Sequence, residues 1–378
     1  MRVVISGGGT AGHIYPGLAL AKALQKIRDD LEIVYIGTSS GLESTLVPQA
    51  GLTFKAVEAR GLPRKPSFKA LATVFSAGWG TLESINILKG FKPDVVVGMG
   101  AYVSLPVVGA AVLRQIPTVI HEQNAVPGLV NRVLGKVATA IAVSYPDMSK
   151  YFPSGKKVEF TGNPVREEIL QAKRSEAVKN FKIDKARKVL LVFGGSRGAK
   201  RINEAVVEAY DEWRAREDLQ IVHATGNINY GSVKEAIEKI KSPKDTLLYN
   251  VYPYIDNIGE AYAIADLLVC RSGATTVAEI TAKGLPAILI PYPYATDNHQ
   301  EKNGRQLEKL GAARVILDHD LNGRLLAETV TSLISDEDEL LRMSGASKQF
   351  GQPNAADVLA KLVLKVANTH IEIQKSED

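Results

Sequence analysis

The chain has 378 residues, 46 Lys+Arg against 41 Asp+Glu for a formal net charge of +5, 45% hydrophobic residues and a single cysteine, Cys270. At roughly 100 to 200 residues per domain, this is enough for two domains with cores of their own, which excludes a disordered or fibrous chain. One cysteine cannot close an internal disulfide or build a thiolate metal site, so a reducing, intracellular setting is expected.

Met1 to Ser6 runs straight into a glycine cluster without a charged n-region, an apolar h-region or a cleavage site, and a cytoplasmic chain is expected. Short apolar runs then alternate with helical spacing. In the first half, strands are predicted at Val3–Ser6, Glu32–Ile36, Phe54–Val57, Asp94–Gly98, Thr118–His121, Thr139–Val143 and Lys157–Phe160. The stretch 95–113, VVVGMGAYVSLPVVGAAVL, is uncharged and nearly long enough to span a bilayer. Gly98, Gly100 and Pro106 interrupt it, and a buried parallel strand, a glycine loop and a short helix are predicted instead. Thr161-Gly-Asn-Pro-Val-Arg166 is rich in turn formers, and a charged helix is predicted after it from Glu167 to Phe181. In the second half, strands are predicted at Lys188–Phe193, Gln220–Ala224, Leu247–Tyr249, Leu267–Cys270, Ala287–Pro291 and Ala313–Ile316, with helices at Ile202–Trp213 and Glu301–Leu310. Asn354 to Val366 is amphipathic, with Ala355, Val358, Leu359, Leu362 and Val363 on one stripe, and reads as a closing helix with a ragged end after His370. Strands alternating with helices argue for right-handed βαβ units and parallel sheets: the fold class is α/β, twice.

The charge is unevenly spread. Residues 1–163 carry 17 basic and 10 acidic side chains, 164–345 carry 25 and 27, and 346–378 carry 4 and 4. The window 55–92 holds seven basic and two acidic residues, which equals the surplus of the whole chain.

Ligands of open parallel sheets bind beyond the carboxyl ends of the strands, so the loops there are where chemistry is expected. Ser6-Gly-Gly-Gly-Thr-Ala-Gly-His13 follows the first strand, opens a helix at about Pro16 and matches G-x-G-x-x-G. A dinucleotide fold needs an acid at the end of the second strand as well, and Tyr35-Ile36-Gly37-Thr38 supplies none. His13 instead stands at a helix start near the mouth of the crevice. Phe193-Gly-Gly-Ser-Arg-Gly-Ala-Lys200 lets backbone N–H groups approach an anion at a helix start, and a diphosphate fits there; it lacks the G-x-x-x-x-G-K-[ST] of a P-loop. Cys270-Arg-Ser-Gly-Ala-Thr-Thr-Val-Ala-Glu279 offers Ser272 or Thr275 as helix caps and Glu279 as an acceptor for vicinal hydroxyls. Ile290 to Gln300 is a proline-rich loop of amides and hydroxyls suited to a sugar. Asp318-His-Asp320 is a D-x-D-like triplet in a turn, too common a pattern to mark a metal site.

GGGTAGHIYPGLALA near the start, HEQNAVPGLVNR at 121–132, GNPVR at 162–166, FGGSRGAKRIN at 193–203, CRSGATTVAEI at 270–280 and DNHQEKN at 297–303 together resemble one enzyme family. It is the family of lipid II-forming N-acetylglucosaminyltransferases of bacterial peptidoglycan synthesis. The resemblance implies a GT-B fold: two Rossmann-like domains with parallel sheets facing a central cleft, an acceptor domain at 1–163, a donor domain at 164–345 and a C-terminal helix, 346–378, returning to the first. It implies inverting transfer of GlcNAc from UDP-GlcNAc to the C4 hydroxyl of undecaprenyl-pyrophosphoryl-MurNAc-pentapeptide (lipid I), with no metal and no cofactor. By motif match, His13 is the expected general base. Arg166, Ser196, Ile255, Ala274, Thr275, Thr276 and Glu279 are expected at the nucleotide or diphosphate, and Gln300 at the GlcNAc hydroxyls. Thr10, Ala11, Gly12 and Asn124 are expected to face the sugar or acceptor. The resemblance leaves the role of His299 open. Other GT-B enzymes of UDP-sugars, a diacylglycerol glycosyltransferase or a UDP-GlcNAc epimerase, are the alternative; HEQN counts against them.

A lipid acceptor implies a peripheral protein at the cytoplasmic face of the cell membrane. Phe68, Leu71, Phe75, Trp79 and Leu82 recur at spacings of three and four among Arg60, Arg64, Lys65, Lys69, Lys89 and Lys92. Such a stripe lies on an anionic membrane surface or faces a core, and the pattern suits both. Nucleic acid is not an expected partner.

Overall fold

The computed structural model describes residues 1–59, 68–195 and 198–377, and of 68–77 and 373–377 the backbone alone. The chain divides into two compact units, Met1–Arg166 with Gln352–Asp378, and Glu167–Gly351.

The first unit is built on seven parallel strands: β1 (Arg2–Ser6), β2 (Glu32–Gly37), β3 (Thr53–Ala56), β4 (Val95–Gly98), β5 (Thr118–Glu122), β6 (Ala140–Val143) and β7 (Lys157–Phe160), in the order β3-β2-β1-β4-β5-β6-β7. Its central strands are apolar and buried along their length, as a sheet covered by helices on both faces requires. Val3, Ile5, Val95 and Val97 share one core with Ile14, Leu20 and Leu24 of the helix Ala11–Ile27. Leu359, Val363 and Ala367 of the last helix, Ala355–Glu377, complete that core from the far end of the chain.

The second unit repeats the plan with β8 (Lys188–Phe193), β9 (Leu219–Ala224), β10 (Leu248–Tyr252), β11 (Leu267–Cys270), β12 (Ala287–Leu289) and β13 (Ala313–Val315), in the order β10-β9-β8-β11-β12-β13. Trp213, Tyr210, Ile221 and Val269 are fully buried in its core. In both sheets the strand order reverses beside the first strand, between β1 and β4 and between β8 and β11. Those are the switch points at which loops diverge and leave room for a ligand.

Several boundaries differ from the sequence reading. The first helix starts at Ala11 rather than near Pro16, and Pro16 lies inside it, where its missing N–H deprives only the Gly12 carbonyl of an intrahelical donor. The helix expected over 167–181 is two, Glu167–Gln171 and Arg174–Asn180. Lys283 Nζ donates to the Ala172 carbonyl (2.9 Å) and ends the first, and Arg174 turns away to the Ile264 carbonyl (2.6 Å). The helix expected at 202–213 starts at Lys200 and is divided at Ala209. The last helix runs to Glu377, and Val358 is on its outer side, 36% exposed. The uncharged stretch 95–113 is β4, a loop and the helix Ser104–Leu113. Among the described residues, no helix is long and apolar enough to cross a membrane.

Leu359 is fully buried on the last helix. Leu359→Ala is expected to cost about 2–5 kcal/mol of first-unit stability, measured as a shift in the denaturant midpoint.

Candidate active site

At the end of β1 the chain turns through Gly7-Gly8-Gly9, and a buried carboxylate holds that turn. Glu43, at the start of the helix Glu43–Gln49, accepts from the Gly9 N–H at Oε2 (3.0 Å) and from the Thr38 N–H (2.9 Å) and hydroxyl (2.7 Å) at Oε1. A Cβ on Gly8, Gly37 or Gly41 would fall 2.2, 2.4 or 2.2 Å from its atoms. Here, then, the glycines make room for a carboxylate rather than for a ligand. The end of the second strand itself carries no acid, as read; Glu43 reaches back to it from the next helix, with both oxygens taken by protein donors.

Thr10 follows in extended backbone as the N-cap of the helix Ala11–Ile27, with Ala11, Gly12 and His13 in its first turn. The Thr10 hydroxyl makes no cap bond to the backbone; its Oγ1 lies 3.1 Å from His13 Nδ1. The other edge of the imidazole rests on Gly100, in the loop after β4, where a Cβ would stand 2.9 Å from His13 Cδ2. Gly100 also has φ +87°, a conformation suited to glycine. Ser104 Oγ lies 3.0 Å from the Ser6 carbonyl and 2.5 Å from that of Gly100, tying the two loops together. His13 therefore stands at the switch point of the first sheet.

The loop after β5 carries Asn124. The buried Glu122 accepts from the Asn124 N–H (2.9 Å) and side-chain amide (3.1 Å), the Gly128 N–H (3.1 Å) and the Asn131 amide (2.8 Å), which fixes the loop. Burial raises its pKa above the ordinary carboxylate value while these donors pull it down. The buried His121 meets the Gly162 carbonyl through Nε2 (3.0 Å), and burial pushes its pKa down to about 4, so it is neutral at physiological pH. The guanidinium of Arg166, in the first unit, stacks on Tyr15 of the His13 helix at 4.0 Å from the ring centroid.

In the second unit Ser196 lies outside the described residues, but its flanking glycines do not. Gly194 and Gly198 are locked against Ala199 and the Thr225 carbonyl, whereas Gly195, at φ +89°, has open space where a Cβ would be. The helix Lys200–Glu208 that follows has no side-chain cap. Ile255 is buried in the loop after β10.

After β11, the helix Ala274–Ala282 is capped by Gly273 with no side-chain bond. Neither Ser272 nor Thr275 is its cap, contrary to expectation: Ser272 donates to the Gln300 carbonyl instead (2.8 Å). Gln300 is held by the Tyr292 N–H at Oε1 (2.9 Å), and its Nε2 and the Thr276 hydroxyl lie 4.0 and 3.9 Å from the bare face of Gly273. Ala274, Thr275, Thr276 and Gln300 are thus brought together. Glu279, one turn further, is 5% exposed, and its Oε2 accepts from the Tyr262 hydroxyl (3.0 Å), which orients it.

Asp318 pairs with Arg271, which also donates to the Ile290 (3.2 Å) and Pro291 (3.0 Å) carbonyls; the D-x-D-like triplet thus supports the proline-rich loop. His299 Nδ1 meets the Thr296 carbonyl at 2.8 Å, after Asp297 and Asn298 in left-handed backbone. Among the described residues, no group of three His, Cys, Asp or Glu could hold a metal ion.

Residue-type reasoning missed Glu43, Gln123, Gly100, Tyr262 and Arg271. Gln123 and Arg271 sat inside quoted motifs, and the clustering of Gly37 and Gly41 around Glu43 was the one other signal.

Family models for the glycosyltransferase family 28 N-terminal and C-terminal domains match residues 3–143 and 189–359. A UDP-N-acetylglucosamine--N-acetylmuramyl-(pentapeptide) pyrophosphoryl-undecaprenol N-acetylglucosamine transferase of Halothermothrix orenii is 48% identical over 366 residues, 96% of this chain and 98% of the relative. The enzyme of the same name from Desulforamulus reducens is 45% identical over 370 residues, covering 97% and 99%. Among solved structures, MurG of Acinetobacter baumannii aligns with a TM-score of 0.76 at 29% identity, over 96% of this chain and 99% of that one. CalG4, the calicheamicin glycosyltransferase, shares the fold at a TM-score of 0.66 and 16% identity, covering 96% and 98%. The fold class is GT-B, with two Rossmann-like parallel-sheet domains.

The Glu43 packing is testable with two alanines. Gly41→Ala, which meets the carboxylate, is expected to lose about 1–3 kcal/mol in denaturant unfolding. Gly109→Ala, inside the helix Ser104–Leu113 with nothing among the described residues within 4 Å of the added carbon, is expected to gain about 0.5–1 kcal/mol.

Proposed function

Since the chain belongs to the family of UDP-N-acetylglucosamine--N-acetylmuramyl-(pentapeptide) pyrophosphoryl-undecaprenol N-acetylglucosamine transferases, we propose that it transfers GlcNAc from UDP-GlcNAc to lipid I, giving lipid II and UDP. The observation that carries this is the 48% identity with such an enzyme over 96% of the chain.

The reaction has two chemical demands: a sugar hydroxyl must lose its proton, and a diphosphate must leave with negative charge. His13 is the proton acceptor in this proposal. It takes the hydrogen of the C4 hydroxyl as that oxygen bonds to the anomeric carbon of GlcNAc, while the bond from that carbon to the UDP oxygen breaks. A single displacement inverts the anomeric centre and gives a β linkage. The uncapped start of the helix Ala274–Ala282, the loop around Ser196 and the Arg166 guanidinium would stabilise the leaving UDP. The oriented carboxylate of Glu279 suits ribose hydroxyls and Gln300 suits those of GlcNAc, while Ile255 would pack against the nucleotide. Thr10, Ala11, Gly12 and Asn124 would meet the acceptor sugar. UDP release from UDP-GlcNAc is expected to depend on a short-chain lipid I analogue and to accompany disaccharide formation. His13→Ala is expected to lower kcat by about 10² to 10⁴; full kcat would remove His13 from the role.

We place the chain at the cytoplasmic face of the membrane as a peripheral protein. On the helix Phe68–Phe91, Trp79 is 54% and Leu82 58% exposed, while Ser84 and Leu88 face the core. That favours an outward apolar stripe. Arg60, Arg64 and Lys65 lie outside the described residues, as do the side chains of Phe68, Lys69, Leu71 and Phe75. Replacing Trp79 and Leu82 together by serine is expected to cut binding to anionic phospholipid vesicles about tenfold, from the apolar area lost. Unchanged co-sedimentation would argue against this face.

A further inference from the structure

The two nitrogens of His13 face different surroundings. Nδ1 points to the exposed Thr10 hydroxyl, 3.1 Å away. Nε2 belongs to the inner edge that rests on Gly100: the position of a Cβ on that glycine lies 3.3 Å from Nε2 and 3.4 Å from Oε1 of Gln123. Both atoms therefore border the same small space, which exists because residue 100 has no side chain. Gln123 is 2% exposed, and its amide nitrogen is committed to the Met99 carbonyl at 2.7 Å, which sets the direction of its oxygen. That oxygen is buried and, among the described residues, has no hydrogen-bond partner. A buried acceptor left without a donor is costly, and such atoms in a site call for an explanation.

Imidazole chemistry supplies one. The nitrogen that finds a fixed acceptor keeps the proton, and the other is left as the base. We propose that Gln123 is a positioning residue for His13: its Oε1 receives the Nε2 proton across the space left by Gly100 and keeps Nδ1 unprotonated at the surface. This rests on the reading of His13 as base and goes beyond it by naming the nitrogen and its support. Thr10 then donates to Nδ1 in the resting protein, and the acceptor hydroxyl takes its place. When that hydroxyl transfers its proton to Nδ1, the imidazolium carries two N–H groups, and Gln123 holds the inner one. A distance that is long in the resting site and tightens when substrate binds is ordinary for such pairs.

Among the described residues, the other ionisable groups around this site are committed elsewhere. Glu43 is spent on Gly9 and Thr38. His121 is buried and neutral. The Tyr35 hydroxyl, against Gly7 and Gly17, is raised far above its usual range by burial, and Arg166 stacks on Tyr15 of the same helix. None of these is a carboxylate free to take the Nε2 proton.

Nitrogen NMR of the full chain labelled in histidine, with the His13 signal identified by its loss in His13→Gln, reads the tautomer directly and needs no variant of Gln123. The expected form has the proton on Nε2 and a bare Nδ1; a proton on Nδ1 overturns the proposal. The second measurement is the pH dependence of kcat/KM. In Gln123→Glu a carboxylate beside Nε2 favours the imidazolium, so the His13 pKa rises and the acid limb moves up by about one unit or more. In Gln123→Met, kcat is expected to fall about tenfold with KM for UDP-GlcNAc unchanged. A merely structural glutamine would leave the acid limb of Gln123→Glu where it is in the parent, and that result also overturns the proposal. Full kcat in His13→Ala would instead refute the base assignment, while the tautomer remains readable by NMR.

Discussion

The carboxylate of Glu43 is the constraint on which the first unit's chemistry depends. A carboxylate enclosed among backbone groups is tolerated only if donors surround it, and here one donor is Gly9, in the loop that leads to His13, and the other two belong to Thr38, just after β2. The bonds of Glu43 to Gly9 and Thr38 set the path of the chain after β1, and that path sets where the helix Ala11–Ile27 starts and where the imidazole points. Glu122 does the same for the loop after β5, with four donors around one buried carboxylate. Two acids that touch no substrate in the proposed mechanism hold the loops that do.

The second unit holds its loops by other means. Its helix start after β11 has no side-chain cap, which leaves N–H groups available to an anion. Around it, Ser272 and Gln300 hold each other's segments, and Arg271 braces the proline-rich loop through Asp318. These supports surround the helix start at which the proposed leaving group would be held.

All thirteen strands were legible: the central ones, buried on both faces, read as apolar runs bounded by glycine or charge, and the edge strands β3, β7 and β10, which are largely exposed or half-buried, read as short runs between turn signals. Helix boundaries were less so. The break at 172–173 depends on Lys283, more than a hundred residues away, and nothing local encodes it. The missed cap at Ser272 has the same origin, a tertiary bond outbidding a local one. Among the candidate site residues, His13, Glu279 and Gln300 stand out in the sequence because each lies beyond a strand end, on the helix that follows, with side-chain chemistry of its own. Glu43 and Gln123 were not, since one acts on backbone it meets only after folding and the other is distinguished by a bond it does not make. Gly100 was read only as an interruption of an apolar run, although its bare surface is what admits the imidazole.

The last helix has a consequence for how the molecule is made. The first unit's core includes Leu359, Val363 and Ala367, so it stays open on one side until a segment that follows the whole second unit has left the ribosome. The second unit, Glu167–Gly351, is contiguous and has all its residues in hand earlier. Domains fold as units in the order in which they become complete. The second unit therefore has what it needs to reach its native state first, and the unit carrying His13 is closed by a segment synthesised after it.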